Sequence, residues 1–364
     1  MIRDIREKID LIDDELVKLI SRRIELVEEV AGYKMANNLD VKDTDRELEI
    51  KRRLLGLIEN KDHQEEILAL MEAVFDLSRK RQRGRINAEA VIGYQGTKGS
   101  FSEEMAIDYF GESMDKKAYE TFEEVFHALA NKEITYGVLP IENSSTGAVK
   151  EIYDLLNRYS FFIVGEHYLK VNQHLIGLEN AKVDSIKEVY SHPQGIEQCE
   201  HFLSYYPGWK KVSYLNTAMS VALVKKTQDP TIAAIASERA AKIHGLHIIK
   251  DTINDNKLNT TRFIVIKGEM EEDASFDKIS LMFTTAHTSG ALYNILAVLA
   301  KNNINMMKIE SRPLKHQPGQ YFFFVDIEGK LGNENVKRAL RDINDHKRYF
   351  RVLGHYKKKE GFSS

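Results

Sequence analysis

The first candidate functional residue is an arginine that interrupts the apolar face of a predicted helix. The apolar positions alternate in steps of four and three residues, and they are Ile5, Ile9, Ile12, Leu16, Leu19, Leu26, Val30 and Tyr33. This spacing is typical of a helix that packs against other helices. Arg23 occupies the position between Leu19 and Leu26. Because a buried charge is costly unless it is paired, we expect its guanidinium to bind an anion from the protein or from a ligand.

Other polar residues also fall on the apolar faces of helices predicted in this region. They are Lys34 on the first helix, Asp43, Arg46 and Glu47 on the second, and Ser78 and Gln82 on the third. Hydrogen-bond donors predominate in this set, which indicates a buried pocket for a small polyanion. The alternative is an internal network of arginines and glutamates that only fixes the register of the helices. Donors on all three helices with few acidic partners favour the pocket.

Between residues 89 and 268, four loops beside predicted strands carry hydroxyl, amide and charged side chains. The segment YQGTKGSFSEEMA opens a helix with glycines and hydroxyls, but it matches neither common glycine-rich phosphate motif. The other loops are LPIENSSTGAV with Glu142, Asn143 and Ser144, YSHPQGIEQCEHF with Ser191, His192, Gln194 and Gln198, and NTTRFIVI with Thr260, Thr261 and Arg262. Hydroxyls, amides and helix-start N–H groups after strands are suited to an anionic ligand.

The composition limits the class of protein. The 364 residues are 43% hydrophobic and 29% charged, with a net charge of -3, so no global charge favours nucleic acid or an anionic membrane. The basic run RKRQRGR is interpreted as a solvated linker. The single cysteine, Cys199, excludes an internal disulfide and favours a reducing compartment. The charged N-terminus lacks a signal segment, and no apolar run is long enough to span a membrane, so a cytoplasmic location is predicted.

Three segments of different character must position these residues. Residues 1–86 precede the first proline, Pro140, and read as three helices whose long apolar pattern needs a partner subunit. Residues 89–268 alternate short β-rich runs with loops and helical segments, which predicts an α/β domain. Residues 277–358 follow the order β-α-β-β-α-β, which predicts a ferredoxin-like α+β domain.

The helical segment resembles the all-helical class of chorismate mutases through IREKIDLIDDELVKLISRRIELVEEVAGYK and VKDTDRE. The resemblance implies an intertwined homodimer that binds chorismate, with Arg6 donated across the dimer. It implies that Arg23 and Arg46 hold the two carboxylates, and that Lys34 and Gln82 reach the ether oxygen. Asp43, Glu47 and Ser78 would hold the hydroxyl end and the arginines. The pericyclic rearrangement to prephenate needs no metal or cofactor, only a pocket that holds the compact conformer and stabilises developing charge.

The α/β segment resembles prephenate dehydratase through E-N-S, S-H-P-Q and T-R-F, in that order. The resemblance implies two lobes similar to periplasmic binding proteins, with prephenate in the cleft between them. Thr261 would be the main catalytic residue and donate to the departing hydroxyl, Glu142 is a second candidate acid, and Arg262 would anchor a carboxylate. The residues implied to line the cleft are Glu142, Asn143, Ser144, Ser191 and Gln198. His192 is expected to shape its loop rather than to act as an acid.

The C-terminal segment resembles the regulatory ACT domain of these dehydratases through SGALYNILAVLAKNNINMMKIESRP. The resemblance implies that L-phenylalanine binds between two such domains, near Gly290, Ala291, Leu292, Glu310, Ser311, Arg312 and Pro313. A Gly-Ala helix start leaves backbone N–H groups open to a carboxylate, and leucine and methionine side chains accept a phenyl ring. The alternative is a domain that only dimerises.

Together these segments predict a bifunctional chorismate mutase and prephenate dehydratase of phenylalanine biosynthesis, inhibited by L-phenylalanine. It would act as a homodimer or higher homo-oligomer, without a cofactor, metal, nucleic acid or membrane partner. Two alternatives stay open: arogenate as the dehydratase substrate, and a non-catalytic amino-acid-sensing binding protein. Turnover of prephenate would argue against the sensor, and a comparison with arogenate would identify the substrate.

Overall fold

The computed structural model describes residues 2–36, 44–58, 60–88, 90–285, 288–314, 320–345 and 349–359. The chain divides into two compact units, Met1–Ala90 and Val91–Ser364. None of the helices within the described ranges combines the length and apolarity that a bilayer crossing requires.

The first unit is helical, as the sequence predicts. Its helices are α1 (Ile2–Ala36), α2 (Thr44–Leu55), a short 3-10 helix (Lys61–His63) and α3 (Gln64–Ala88). Helices α1 and α3 pack against each other, and Val27, Ala31 and Phe75 are buried. Much of the apolar pattern on α1 is open to solvent, with exposed fractions of 50% for Ile5 and 64% for Leu19. A single copy therefore leaves an apolar helix face uncovered.

The second unit begins with a first lobe built on a mixed sheet. Its strands are β1 (Ile92–Gln95), β2 (Lys116–Tyr119), β3 (Tyr136–Asn143), β4 (Gly147–Ala148), β5 (Phe162–Lys170) and β11 (Thr260–Lys267). Their order is β2-β1-β3-β11-β5, and β4 pairs with β3. Its helices are α4 (Phe101–Phe110), α5 (Phe122–Ala130) and α6 (Lys150–Arg158). Ser100 and Thr121 cap α4 and α5, because their side-chain oxygens accept from N–H groups that lack an intrahelical partner.

The second lobe has its own sheet. Its strands are β6 (His174–Gly177), β7 (Glu188–Ser191), β8 (Lys210–Ser213), β9 (Ile232–Ala236) and β10 (His247–Lys250), in the order β10-β6-β9-β7-β8. Its helices are α7 (Pro193–Glu197), α8 (Glu200–Ser204), α9 (Thr217–Thr227) and α10 (Glu238–His244), with a 3-10 helix at Val183–Ser185. Cys199 lies in the core of this lobe with no exposed surface, and burial raises the pKa of its thiol.

The chain crosses between the lobes twice. Residues 171–173 connect β5 to β6, and residues 251–259 lead from β10 back to β11. Strand β11 runs antiparallel between β3 and β5, so the second crossing enters the middle of the first sheet at Thr260. The lobes also touch at Gly99, whose carbonyl accepts from Ser237 Oγ at 3.2 Å. A Cβ on Gly99 would lie 3.2 Å from the Cα of Ala240, so the close approach favours glycine.

The C-terminal part of the second unit has the predicted β-α-β-β-α-β order. Its elements are β12 (Lys278–Thr284), α11 (Ala291–Lys301), β13 (Met306–Pro313), β14 (Tyr321–Glu328), α12 (Glu334–Asp345) and β15 (Tyr349–Tyr356). The strands are arranged β13-β14-β12-β15. On β12, Leu281 packs with α11 and α12, whereas Met282 faces the opposite way, as the alternation of a strand requires.

This opposite face shares a hydrophobic core with the first lobe. Met282, Phe324 and Leu353 belong to the same buried cluster as Leu139 and Ile264. Strands β15 and β5 approach each other closely at Gly354, where a Cβ would lie 2.1 Å from the carbonyl oxygen of Ile163. The α/β and C-terminal segments are therefore packed as one compact unit.

Candidate functional site

Thr261 lies where the second crossing enters the first lobe. It is 9% exposed, and strand pairing places it opposite Asn143 at the end of β3. Asn143 Nδ2 donates to Thr261 Oγ1 at 2.9 Å and to Asn259 Oδ1 at 2.8 Å. The structure thus brings together two residues that the sequence places 118 positions apart.

The turn that follows Asn143 is fixed by the same side chain. Asn143 Oδ1 accepts from the backbone N–H groups of Ser145 and Thr146 at 2.9 and 3.1 Å. Ser144 is held against β11, because its N–H donates to the Thr260 carbonyl at 2.9 Å and its Oγ accepts from the Thr260 N–H at 3.0 Å. The side chain of Asn143 therefore links the turn to Thr261 by hydrogen bonds.

The second lobe reaches this turn through α7. Gln194 Nε2 donates to Thr146 Oγ1 at 3.0 Å, and Gln198 Oε1 accepts from Gln173 Nε2 at 3.1 Å. We call the region where β11, the turn 143–146 and α7 meet the lobe junction. The side chains named in these contacts are hydroxyls and amides, so the lobe junction is polar but uncharged at these positions.

The crossings contribute amides that motif reading missed. Asn259 is 1% exposed and its Nδ2 has no hydrogen-bond partner among the described residues. Gln173 is 2% exposed and its Oε1 is likewise unpartnered there. Asn256 Nδ2 donates to Ser145 Oγ at 3.2 Å. The asparagine-rich stretch NDNKLN, which ends one residue before the T-R-F motif, was the sequence signal for Asn256 and Asn259, and Gln173 lies outside it.

Two predicted residues of the S-H-P-Q loop support its backbone. Ser191 is fully buried and its Oγ donates to the Ile235 carbonyl at 2.7 Å. His192 precedes α7, and its Nδ1 accepts from the Gln194 N–H at 3.3 Å; burial lowers the pKa of its imidazole. The placement of Ser191 differs from the prediction that it lines the cleft, because its hydroxyl is committed to the neighbouring strand. His192 shapes the loop, as expected.

Glu142 and Arg262 also differ from the predicted placement. Successive residues of a strand point to opposite faces, so these two side chains face away from Asn143 and Thr261. Glu142 pairs with Lys308 of β13, and Arg262 Nε and Nη2 lie 2.8 and 2.7 Å from carboxylate oxygens of Glu166 and Asp326. We therefore revise both predictions: neither side chain lies at the lobe junction.

In the helical unit, Arg23 meets one of its predicted neighbours. Its Nη1 donates to Ser78 Oγ, its guanidinium carbon lies 5.9 Å from the centre of the Phe75 ring, and burial lowers its pKa. Among the described residues Arg23 forms no ion pair. Its hydrogen bond among the described residues is thus to a neutral hydroxyl.

The remaining predicted mutase residues are described only in part. Arg6 is exposed, and Arg46 forms an exposed pair with Glu49 at 2.6 Å. Lys34 is partly buried at the end of α1. Asp43 and the side chains of Glu47 and Gln82 lie outside the described residues.

The predicted allosteric segments lie at one end of the C-terminal sheet. Thr284 at the end of β12 and Arg312 near the end of β13 are both paired with Phe322. Gly290, with φ of +78°, precedes α11, which begins at Ala291; Leu292 packs against the core. Glu310, Ser311, Arg312 and Pro313 end β13, and Arg312 Nε lies 3.2 Å from Asp154 Oδ1.

Comparison with protein families assigns all three segments. The family model for chorismate mutase type II matches residues 5–83, that for prephenate dehydratase matches 92–271, and that for the ACT domain matches 280–345. The chain therefore combines two enzyme domains with a regulatory-type domain. It belongs to the bifunctional chorismate mutase/prephenate dehydratase family. The predicted family, its two activities and its place in phenylalanine biosynthesis are confirmed.

Individual relatives agree with this assignment. The bifunctional chorismate mutase/prephenate dehydratase of Escherichia coli K12 is 32% identical over 368 residues, covering 97% of this chain and 95% of the relative. A prephenate dehydratase from Arthrobacter aurescens, solved in complex with L-Phe, has a TM-score of 0.68 at 25% identity, covering 74% of this chain and 90% of that chain. GqqA, described as a novel type of quorum quenching acylase, has a TM-score of 0.68 at 27% identity, covering 74% of this chain and 98% of that chain.

Proposed function

We propose that the dehydratase reaction takes place at the lobe junction, with Thr261 donating a hydrogen bond to the departing hydroxyl of prephenate. The observation that carries this proposal is the 2.9 Å contact from Asn143 Nδ2 to Thr261 Oγ1. Because the amide already donates to this oxygen, the hydroxyl proton is directed to another acceptor. A hydrogen bond that strengthens as hydroxide departs stabilises the transition state more than the bound substrate.

The uncharged lining also suits the loss of carbon dioxide. The ring carboxylate supplies the electrons and departs as a neutral molecule, so a cation beside it would stabilise the substrate more than the transition state. Arg262 faces away from the lobe junction, which supports this assignment. We retain Asn143, Ser144 and Gln198 as substrate-binding residues and add Asn259, whose buried amide is available to the substrate. Glu142, Ser191 and Arg262 are not assigned this role.

The mutase site is proposed to be completed by a second copy of the chain. Arg23 forms no ion pair within the described residues, and the exposed apolar face of α1 needs a cover. An intertwined homodimer would supply both the cover and Arg6. We keep Arg23, Lys34, Arg46 and Ser78, together with Asp43, Glu47 and Gln82, as proposed contacts of chorismate.

L-Phenylalanine is proposed to bind at the end of the C-terminal sheet. The Arthrobacter relative was solved with L-Phe, and the two predicted segments, Gly290–Leu292 and Glu310–Pro313, lie at the same end of the sheet here. Binding between two such domains would give feedback inhibition if the two states of the enzyme differ in affinity. The likeness to periplasmic binding proteins, the cytoplasmic location and the boundaries 1–86, 89–268 and 277–358 stay predictions.

A coupled assay tests the dehydratase assignment. The full-length protein should convert chorismate to phenylpyruvate, and Thr261→Val should stop the sequence at prephenate. Valine keeps the shape of threonine, so we expect a loss of dehydratase kcat of roughly 100- to 1,000-fold, similar to the loss of an oxyanion donor. Thr261→Ser is the matched control and should retain most activity. Turnover of Thr261→Val within about tenfold of the parent would reject the assignment, as would a parent protein active on arogenate but not prephenate.

The complementary variant tests the mutase assignment. Arg23→Ala should abolish the conversion of chorismate while turnover of added prephenate persists, because the two sites lie in separate compact units. Loss of both activities in a folded variant would contradict separate sites.

A further inference from the structure

The residue after Thr261 connects the strand of the proposed site to the C-terminal sheet. Arg262 is 4% exposed and points to the face of β11 opposite Thr261. Its Nε lies 2.8 Å from Glu166 Oε2 on the neighbouring strand β5, and its Nη2 lies 2.7 Å from Asp326 Oδ2 on β14. One guanidinium therefore holds two strands of the first lobe and one strand of the C-terminal sheet.

Arg262 is part of a larger buried set. Lys278 of β12 places its Nζ 2.7 Å from Glu166 Oε2 and 3.5 Å from Asp326 Oδ2. We call Glu166, Arg262, Lys278 and Asp326 the interdomain ion cluster. The first lobe contributes Glu166 and Arg262, and the C-terminal sheet contributes Lys278 and Asp326, so each side supplies one cation and one anion.

Hydrogen bonds between uncharged groups and the charged side chains complete the cluster. Ser280 Oγ donates to Asp326 Oδ1 at 2.6 Å, Arg262 Nη2 donates to Tyr356 Oη at 3.2 Å, and the Lys359 N–H donates to Glu166 Oε1 at 3.1 Å. Burial alone would lower the pKa of Arg262, but the charges of Asp326 and Glu166 raise it well above its ordinary value. The carboxylates therefore favour the charged form of the Arg262 guanidinium, and fixed partners orient it.

The backbone at this point lacks regular pairing on one side. The register between β11 and β3 shifts between Arg262 and Phe263, and such an irregularity locally disrupts the hydrogen bonds of a sheet. Thr261 sits directly before the shift, opposite Asn143. The side chain of Arg262 supplies an anchor where the sheet ladder is interrupted.

We propose that the C-terminal domain positions Thr261 for the dehydratase reaction through the interdomain ion cluster. Arg262 and Asp326 are then positioning residues rather than ligands of the substrate. This inference rests on the proposed role of Thr261. A displacement of about 1 Å at a reacting group can reduce turnover roughly 100-fold. Because the C-terminal domain contacts the face of β11 opposite Thr261, turnover at the active site would depend on that domain.

The test uses the full-length double variant Arg262→Met/Asp326→Leu. It replaces one buried pair by apolar side chains and leaves the Glu166–Lys278 pair in place. Replacing a buried ion pair by apolar residues need not destabilise a protein, so this variant separates folding from positioning. We expect thermal unfolding close to that of the parent. The kcat for prephenate should fall roughly 10- to 100-fold, with KM changed less than about threefold.

Controls distinguish positioning from other roles. Asp326→Asn preserves the volume of the side chain and should also lower kcat, which keeps the test decisive if the double variant does not fold. Asp154→Asn breaks the pair with Arg312 of the C-terminal sheet but lies on α6, so its kcat should stay within about twofold of the parent. Mutase turnover, measured on the same samples, should be unchanged throughout.

Two results would overturn the proposal. A folded double variant with parent-like kcat would show that the cluster serves stability alone. An unchanged kcat with a tenfold higher KM would show that Arg262 binds substrate directly. If Thr261→Val loses activity while the double variant retains it, the site assignment stands and the positioning role fails; if Thr261→Val retains activity, the site assignment itself fails.

Discussion

Glu104 on helix α4 is predicted to make the stability of the second unit depend on pH near neutrality. Burial, together with the charge of Asp108, raises the pKa of its carboxyl to about 7. Its Oε2 is buried and has no hydrogen-bond partner in the part of the chain that the structure describes. The facing helix α10 of the second lobe adds the opposing charges of Arg239 and Lys242 and the like charge of Glu238.

The direction of the effect follows from the raised pKa. The folded protein binds a proton at Glu104 more tightly than the unfolded chain, whose ordinary value is 4.5. The stabilising contribution is therefore fully present below pH 4.5 and is lost as the pH rises through about 7. The shift corresponds to roughly 3 kcal/mol, and partial solvent exposure of the carboxylate reduces this to about 2 kcal/mol.

Glu104→Gln tests this reasoning. The variant should unfold at higher urea concentration than the parent at pH 8.5, with a gain of about 2 kcal/mol, and should match the parent near pH 4. The fluorescence of Trp209, the single tryptophan of the chain, reports unfolding. Glu151→Gln is the matched control, because Glu151 is exposed and both glutamates lie in the first turn of a helix. A difference between Glu104→Gln and the parent that is equal at both pH values would refute the reasoning.

Two further substitutions test packing contacts described above. Ser191→Ala removes the 2.7 Å hydrogen bond to the Ile235 carbonyl and should lower the free energy of unfolding by about 1–3 kcal/mol in a urea titration. Dehydratase turnover should stay near the parent value. Loss of turnover at full stability would instead show that Ser191 contacts the substrate. Gly354→Ala forces β15 away from the Ile163 carbonyl oxygen, which a Cβ would approach to 2.1 Å, and should cost about 1–3 kcal/mol; a parent-like melting temperature in scanning calorimetry would contradict this.

The strands that the sequence predicts are those with buried, β-rich residues. The short β-rich runs that predicted the α/β domain include YGVLPI, FFIVGEHY, TIAAIA and RFIVIKG. Strands β3, β5, β9 and β11 lie within these runs or overlap them. Strand β6 was missed although it is buried. Strands β2, β8 and β10 were also missed, because they are four residues long and carry exposed lysines or histidines. Each of them lies at the edge of its sheet, where one side has no neighbour and the apolar pattern is weak.

The site could be predicted only in part, because a sequence motif does not show on which face of its strand each side chain lies. Thr261 and Asn143 meet, although they come from distant motifs. Arg262 adjoins Thr261 in sequence, yet the alternation of β11 sends it into contact with Asp326 of the C-terminal sheet. No local pattern signals that contact, since it depends on two domains sharing one core. The apolar face of α1 was recognised from its spacing, but its residues are largely exposed in a single copy.

Because Cys199 is buried, we expect the native chain to react poorly with thiol reagents. Its side chain has no exposed surface and its thiol has a raised pKa, so it offers little thiolate to a maleimide. A single cysteine introduced on each lobe can therefore be labelled selectively without first removing the native one. Pairs of fluorophores placed in this way would report the distance between the lobes in the intact enzyme as substrate and L-phenylalanine are added.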